Sequence, residues 1–222
     1  RDTSGDCALI RVIVVDDHFL VRRGLRETLA ETGDIEVVGE AGDYGELRQL
    51  LRHTGCDVML LDVNLPGRSG IDVLHAMVDE GTSIRIVVLS TYPEDQYGIR
   101  ALKAGAMAYL NKAADPQTIV KAVRTVATGR KYVTPEIAQA LADNVTTRSG
   151  IAHDQLSDRE MQTLVLIAEG HKLSEIAERL SLSPKTVSVY RARVLEKLKL
   201  SSNAELATYA MRNKLIDLGP VD

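Results

Sequence analysis

Four apolar runs in the first half of the chain each stop on a polar residue able to do chemistry. Val12-Ile13-Val14-Val15 ends on Asp16-Asp17, Val58-Met59-Leu60-Leu61 on Asp62, Ile86-Val87-Val88-Leu89 on Ser90, and Tyr109-Leu110-Asn111 on Lys112. If the runs are parallel strands, these residues meet at one edge of one sheet, where open α/β sheets bind ligands. Three carboxylates repel one another unless a cation sits among them. Mg²⁺ takes hard oxygen ligands, typically one or two carboxylates together with phosphate oxygens, so the set suits Mg²⁺ and a phosphoryl group. A carboxylate can also attack phosphorus, and Lys112 with Ser90 would then hold the transferred oxygens. A lone aspartate at a strand end is an ordinary turn or cap residue. Repetition at every run is what carries the chemical reading.

The elements that must position these groups are legible in the glycines. Gly33, Gly55, Gly81, Gly105 and Gly129 each follow a helix-like segment, at intervals of 22, 26, 24 and 24 residues, the length of one strand-plus-helix unit. Glycine just past a helix supplies the left-handed conformation that ends it. Short apolar runs begin after four of the five: Ile35 to Val38, Val58 to Leu61, Ile84 to Leu89, and Met107 to Leu110. Near-continuous apolar strands are buried on both faces, and strands alternating with helices through right-handed crossovers give an open, doubly wound parallel sheet of five strands. Asp115-Pro116 is a cap followed by proline at the first helical position, and Thr134-Pro135-Glu136 opens a short helix through about Leu141.

From Ala142 to Asp154 the apolar pattern lapses and an exposed linker is expected. Beyond it the sequence predicts four short helices. Ser157 to Glu160 and Ser202 to Glu205 are capping boxes, Ser174 caps a helix through Leu180, and Ser183-Pro184 is a cap plus proline. Only Ser181-Leu182 separates the second and third, a helix-turn-helix spacing without the glycine often found there. The expected domains are 8–130, a linker with a short helix over 131–154, and an all-α unit over 155–222. On a helical projection of Ser183 to Leu200, Val187, Tyr190, Val194 and Leu198 share one face, with Lys185, Ser188, Val189 and Ala192 on another and Arg191 and Arg193 flanking. Such a helix suits the major groove of DNA, with a solvated helix of a protein-interaction module as the alternative.

Composition is that of an ordinary globular protein, with 45% apolar and 26% charged residues. Apolar stretches are too short to span a bilayer and no signal-peptide core precedes Cys7, so a cytoplasmic protein is expected. Cys7 and Cys56 lack metal-ligand spacing and read as structural thiols, and the five histidines as structural or exposed. The net charge of −4 is uneven: residues 1–150 hold 17 Lys and Arg against 21 Asp and Glu, residues 151–222 hold 10 against 10. Within that neutral tail, Lys185, Arg191, Arg193, Lys197 and Lys199 form a local basic cluster facing only Glu196.

The motifs around Asp16-Asp17-His18, Asp62-Val-Asn-Leu-Pro66-Gly67 with Gly70, Leu89-Ser90 and Gly105 to Lys112 resemble the receiver domain of bacterial two-component response regulators, a flavodoxin-like fold. The resemblance implies that a sensor histidine kinase phosphorylates Asp62. It also implies that Asp17 ligates Mg²⁺ directly, Asp16 through water and Asn64 by its carbonyl, and that Ser90, Tyr109 and Lys112 are switch residues. Ala113 departs from the proline common after that lysine. Leu156 to Glu160, Ile167 to Gly170, Glu175-Ile176-Ala177, Leu182 to Val187 and Lys197-Leu198 resemble the helix-turn-helix of the LuxR and NarL regulators. That likeness implies base-edge contacts from Ser188, Val189 and Ala192, phosphate contacts from Lys185, Thr186, Arg191, Arg193 and Lys199, and a dimer contact on the last helix along Leu206, Ala207 and Ala210. The implied protein is a phosphorylation-gated transcription factor, not an enzyme, with promoter DNA, a kinase, a second copy and RNA polymerase as partners. Two other classes are open to test. A Mg²⁺-dependent aspartyl-phosphate phosphohydrolase would turn over phosphomonoesters, although Asn64 occupies the position where such enzymes place a second acid. A pure adaptor would bind no DNA.

Overall fold

The computed structural model describes residues 9–146, 152–213 and 215–216; Cys7 lies outside them. Contacts divide the chain into two units, one through Thr146 and one from Thr147. In the first, β1 (Ile10–Val15), β2 (Ile35–Ala41), β3 (Val58–Asp62), β4 (Arg85–Ser90) and β5 (Ala108–Asn111) form a five-stranded parallel sheet in the order β2-β1-β3-β4-β5. The chain steps outward from β1 to β2, then back past β1 to β3 and onward. Right-handed crossovers in opposite directions put the connecting helices on opposite faces. Thus α1 (Phe19–Ala30) and α5 (Pro116–Ala127) share a core with Val12, Val14, Leu60, Val87, Leu89 and Leu110. Alternate residues Ile13, Met59, Leu61, Val88 and Tyr109 point the other way, toward α2 (Tyr44–Leu50), α3 (Gly70–Asp79) and α4 (Glu94–Lys103). All five β3 residues are buried, and each large apolar side chain so buried contributes about 1.5–3 kcal/mol.

Four of the five rhythm-setting glycines have positive φ, at Gly33, Gly81, Gly105 and Gly129. Gly55 does not: α2 closes five residues earlier on a right-handed Leu51 cap, and Gly55 belongs to the link into β3. The helix after Thr134, α6 (Pro135–Thr146), runs past the expected end at Leu141, so the first part of the polar stretch is helical. Gln139 Nε2 donates to Asp143 Oδ1 at 2.9 Å, an i,i+4 bond that supports the added turn, and α6 packs on α4. The expected linker's 147–151 lie outside the described residues.

The second unit holds a turn of 3₁₀ helix (Ala152–Gln155), then α7 (Asp158–Ala168), α8 (Leu173–Arg179), α9 (Pro184–Leu198) and α10 (Asn203–Arg212). Ser157 and Glu160 form the reciprocal capping box, and Ser183 Oγ accepts the Thr186 N–H. Ser174 is not a cap: α8 starts one residue before it, and Glu175 instead accepts the Lys172 N–H at 3.0 Å. At α10 the Ser202 half of the box forms, but Glu205 reaches back to Ser201. Ser181 takes φ 52° in the turn between α8 and α9, doing without a side-chain penalty-free residue what glycine does elsewhere.

Candidate functional site

Register explains the convergence of the acids. Val15 pairs with Leu61, Asp62 with Leu89 and Ser90 with Asn111, so Asp16, Asp62, Ser90 and Lys112 all stand at the carboxyl ends of adjacent strands. Lys112 Nζ lies 2.6 Å from Asp16 Oδ2 and 2.9 Å from Asp62 Oδ2. Asp16 and Asp62 are each 1% exposed, while a third of the Asp17 side chain is open to solvent. Both Asp62 oxygens and Asp16 Oδ2 are buried without an aligned hydrogen bond, so the ammonium is their main compensation. Burial pushes the Asp62 carboxyl above its ordinary range, Lys112 opposes that rise, and Asp16 adds to it. For Lys112 burial works downward, yet Asp62 and Asp16 outweigh it and the net displacement is upward. One ligand atom from each of Asp16, Asp17, His18 and Asp62 falls within 4.8 Å of the others. Hard oxygens in surplus over one ammonium are what a small divalent cation needs, so the residues fit Mg²⁺.

Ser90 is fully buried and its Oγ accepts the Tyr92 N–H at 3.1 Å. Tyr109 is likewise 0% exposed, and its hydroxyl donates to the Tyr92 carbonyl at 3.1 Å. Its ring lies inward, and burial drives its pKa far up. Asn64 is half-buried in the loop between β3 and α3. Among the described residues no peptide bond is cis, Lys112-Ala113 included. Three contributors were not assigned to the site from the sequence, His18 among them having been read as structural or exposed. His18 Nδ1 sits 2.6 Å from Asp17 Oδ1, Arg22 Nη1 donates to the Asp16 carbonyl at 2.6 Å, and Glu94 accepts the Asn111 N–H beside Lys112 at 2.7 Å. His18 follows the acids directly, which was the available signal; Glu94 looks like any acid in a first helical turn.

On α9 the structure sorts the expected contacts. Val187, Val194 and Leu198 are buried, and Lys185, Ser188, Val189, Ala192 and Arg193 are exposed. Lys185, Thr186, Val189, Tyr190 and Arg193 line one concavity. Thr186 is half-buried with Oγ1 2.7 Å from Ser183 Oγ, and Arg191 Nε donates to Asn203 Oδ1 at 2.5 Å, leaving its other N–H groups. Lys199 is exposed at the left-handed C-cap. Lys197 leaves the basic cluster: its Nζ lies 2.6 Å from buried Glu160 Oε2. Leu206 and Ala210 are fully buried where α10 packs on α7, so they are not available to a second copy.

A five-stranded parallel sheet with an acid–lysine cluster at its carboxyl edge, followed by a helix-turn-helix unit, defines a two-part signalling protein. The chain matches the family models for the response regulator receiver domain over residues 12–124 and for bacterial regulatory proteins of the luxR family over residues 154–210. It belongs to the response regulators that join a receiver to a LuxR-type DNA-binding domain, and so to the transcription regulators. The response regulator GacA of Pseudomonas aeruginosa is 39% identical over 94% of this chain and 99% of its own length. The response regulator UvrY of Escherichia coli is 37% identical over 93% and 96%. Among solved structures, RcsB from Salmonella enterica serovar Typhimurium, bound to promoter rprA in the presence of phosphomimetic BeF3−, matches with TM-score 0.63 and 25% identity over 90% of this chain and 98% of that one. The response regulator ChrA of a heme-sensing two-component system matches with TM-score 0.52 and 33% identity over 94% and 100%. Among the described residues, no helix is long and apolar enough to cross a membrane.

Proposed function

We propose that Asp62 accepts a phosphoryl group from a sensor histidine kinase and that the resulting state governs dimerisation and binding to promoter DNA. The supporting observation is the Lys112 ammonium held between Asp16 and Asp62 at 2.6 and 2.9 Å. An Asp62 oxygen attacks phosphorus, the new O–P bond forms as the P–N bond to the kinase imidazole breaks, and the leaving imidazole keeps a proton. Asp16, Asp17, Asp62 and the Asn64 carbonyl would hold Mg²⁺, which neutralises charge on the phosphate oxygens when bound. Lys112 holds a transferred oxygen, and the Ser90 hydroxyl, whose hydrogen is not used in its bond from Tyr92, donates to another. Asn64 cannot serve as an acid two residues beyond Asp62, so the chain makes a long-lived state and not a turnover enzyme.

The working division is a receiver over 8–130, a connector over 131–154 and a DNA-binding unit over 155–222. Ser188, Val189 and Ala192 approach base edges while Lys185, Thr186, Arg191, Arg193 and Lys199 meet phosphates. The second copy docks on the outer face of α10, where Ala204, Thr208 and Met211 are exposed. RcsB, as two dimers bound to two parallel DNAs, supports pairing in the same family. RNA polymerase is the further partner expected of a promoter-bound regulator, and the cytoplasm its compartment. The test is DNA affinity before and after phosphorylation: the wild type tightens and Asp62→Asn does not. A phosphorylation-dependent rise in Asp62→Asn sinks the reading.

A further inference from the structure

Glu94, in the first turn of α4, holds two elements at once. Its Oε1 accepts the Asn111 N–H at 2.7 Å and its Oε2 accepts the Thr134 hydroxyl at 2.5 Å. Asn111 directly precedes Lys112. The Lys112 N–H donates to the Ser90 carbonyl at 2.7 Å, and the Ala113 N–H to Asn111 Oδ1 at 2.8 Å. The backbone that aims the Lys112 side chain is therefore gripped by Glu94 on one side and by β4 on the other. Thr134, buried, is the residue before α6, where its Oγ1 also accepts the Ile137 N–H. Ile137 is 0% exposed and lies against Gly98 of α4, where an added Cβ would fall within 2.5 Å of Ile137 Cδ1. Bonds to a carboxylate are about twice as strong as neutral ones, so the bridge is a strong polar tie between α4, β5 and α6.

We propose that Glu94 is a positioning residue for Lys112 whose hold depends on Thr134, so that docking of α6 on α4 and occupancy of the phosphoryl site bias one another. The inference rests on the phosphoacceptor reading of Asp62. A phosphoryl group on Asp62 draws Lys112 and Ser90 toward its oxygens, which shifts the Asn111 amide. Glu94 follows the amide or releases it, and either response changes its bond to Thr134. Tyr109 and Asn111 both donate to the Tyr92 carbonyl, at 3.1 and 3.4 Å, so the loop before α4 is carried along. Linkage then requires the reverse effect: loosening α6 alters how well Lys112 serves the phosphoryl group.

The test uses the full chain with Mg²⁺ and acetyl phosphate, reading phosphoryl uptake by intact mass and opening of α6 by amide hydrogen exchange. In the wild type, phosphorylation should change exchange across α6 by about fivefold or more. Thr134→Val, which removes the hydroxyl and keeps the shape, should show the same α6 exchange in both states and a changed rate of phosphoryl uptake; Thr134→Ser should restore both. Glu94→Gln is the second variant, with the same expected loss of coupling, and Glu136→Gln on the exposed side of α6 should leave uptake unchanged. A purely structural role would shift α6 equally in both states and leave uptake alone. Normal uptake with wild-type coupling in Thr134→Val and Glu94→Gln overturns this inference while the site reading stands. No uptake by the wild type overturns the site reading and the relay with it.

Discussion

At Asp62 a buried carboxyl faces an ammonium that it shares with Asp16. Its raised pKa means that the folded chain keeps a proton where the unfolded chain has already lost it. Stability from that proton is present below the ordinary carboxylate range and is lost as pH rises through the raised value. Asp62→Asn removes the buried charge and leaves Lys112 paired with Asp16 at 2.6 Å. In EDTA at neutral pH the variant should therefore be more stable than the wild type by about 1 kcal/mol, with the gap closing in acid. Added Mg²⁺ should stabilise the wild type selectively, since a ligand of the folded state alone raises stability by mass action. Urea titrations across pH, with EDTA and with Mg²⁺, measure both; a variant less stable at neutral pH in EDTA would contradict the account. Asp16, Asp62, Ser90 and Lys112 were legible because each interrupts an apolar run, a signal that survives without coordinates. Glu94 and Thr134 were not, because an acid in a first turn and a hydroxyl before a proline each have a sufficient local reason to be there.

At the scale of elements, Gly70 shows how tightly α3 is seated under the acid. A Cβ there would approach the Asp62 carbonyl oxygen to 1.9 Å, and backbone cannot move aside as a side-chain tip can. Gly70→Ala should destabilise the receiver by about 3 kcal/mol and slow phosphoryl uptake, read by thermal unfolding and intact mass. In the helical unit two lysines of one helix should part ways. Lys185 is exposed beside the residues proposed to approach base edges, so Lys185→Ala should leave the unfolding temperature unchanged and reduce the salt slope of DNA binding by about 1. Lys197 instead holds Glu160, whose burial would raise its pKa but whose bond from Lys197 brings it below the ordinary range. Lys197→Ala should lose about 1–2 kcal/mol, discounted for the partial exposure of Lys197, with little change in salt slope. Spacing placed both lysines in one cluster; only the fold separates them, because Glu160 lies 37 positions away. Likewise Gly55 resembled the other helix-ending glycines in the sequence, and Ser181 lacked the expected glycine yet took its conformation.

For the whole molecule, the two cores were readable from periodicity because each is built from local runs, whereas the use of α10 was not. Leu206 and Ala210 form a line that suits a partner as well as it suits α7, and packing decides between them. The DNA-binding unit carries no net charge, with 10 basic and 10 acidic residues from 151 onward, so it lacks a strong nonspecific pull toward the duplex. With only the few phosphate contacts proposed for one α9, each releasing roughly one counterion, a single unit would be a weak binder. Pairing converts the second contact into an intramolecular one and raises avidity by about 100-fold or more without any new side chain. Phosphorylation that acts by pairing must then leave binding to an isolated half-site nearly unchanged and tighten binding to two half-sites a helical turn apart. Inserting about 5 base pairs between them turns the second site to the opposite face of the duplex and should remove the gain. Fluorescence anisotropy on half-site, full-site and spaced duplexes, with phosphorylated and unphosphorylated protein, measures each term. An equal gain on the isolated half-site would mean that phosphorylation acts on each α9 singly, and the pairing account would fall.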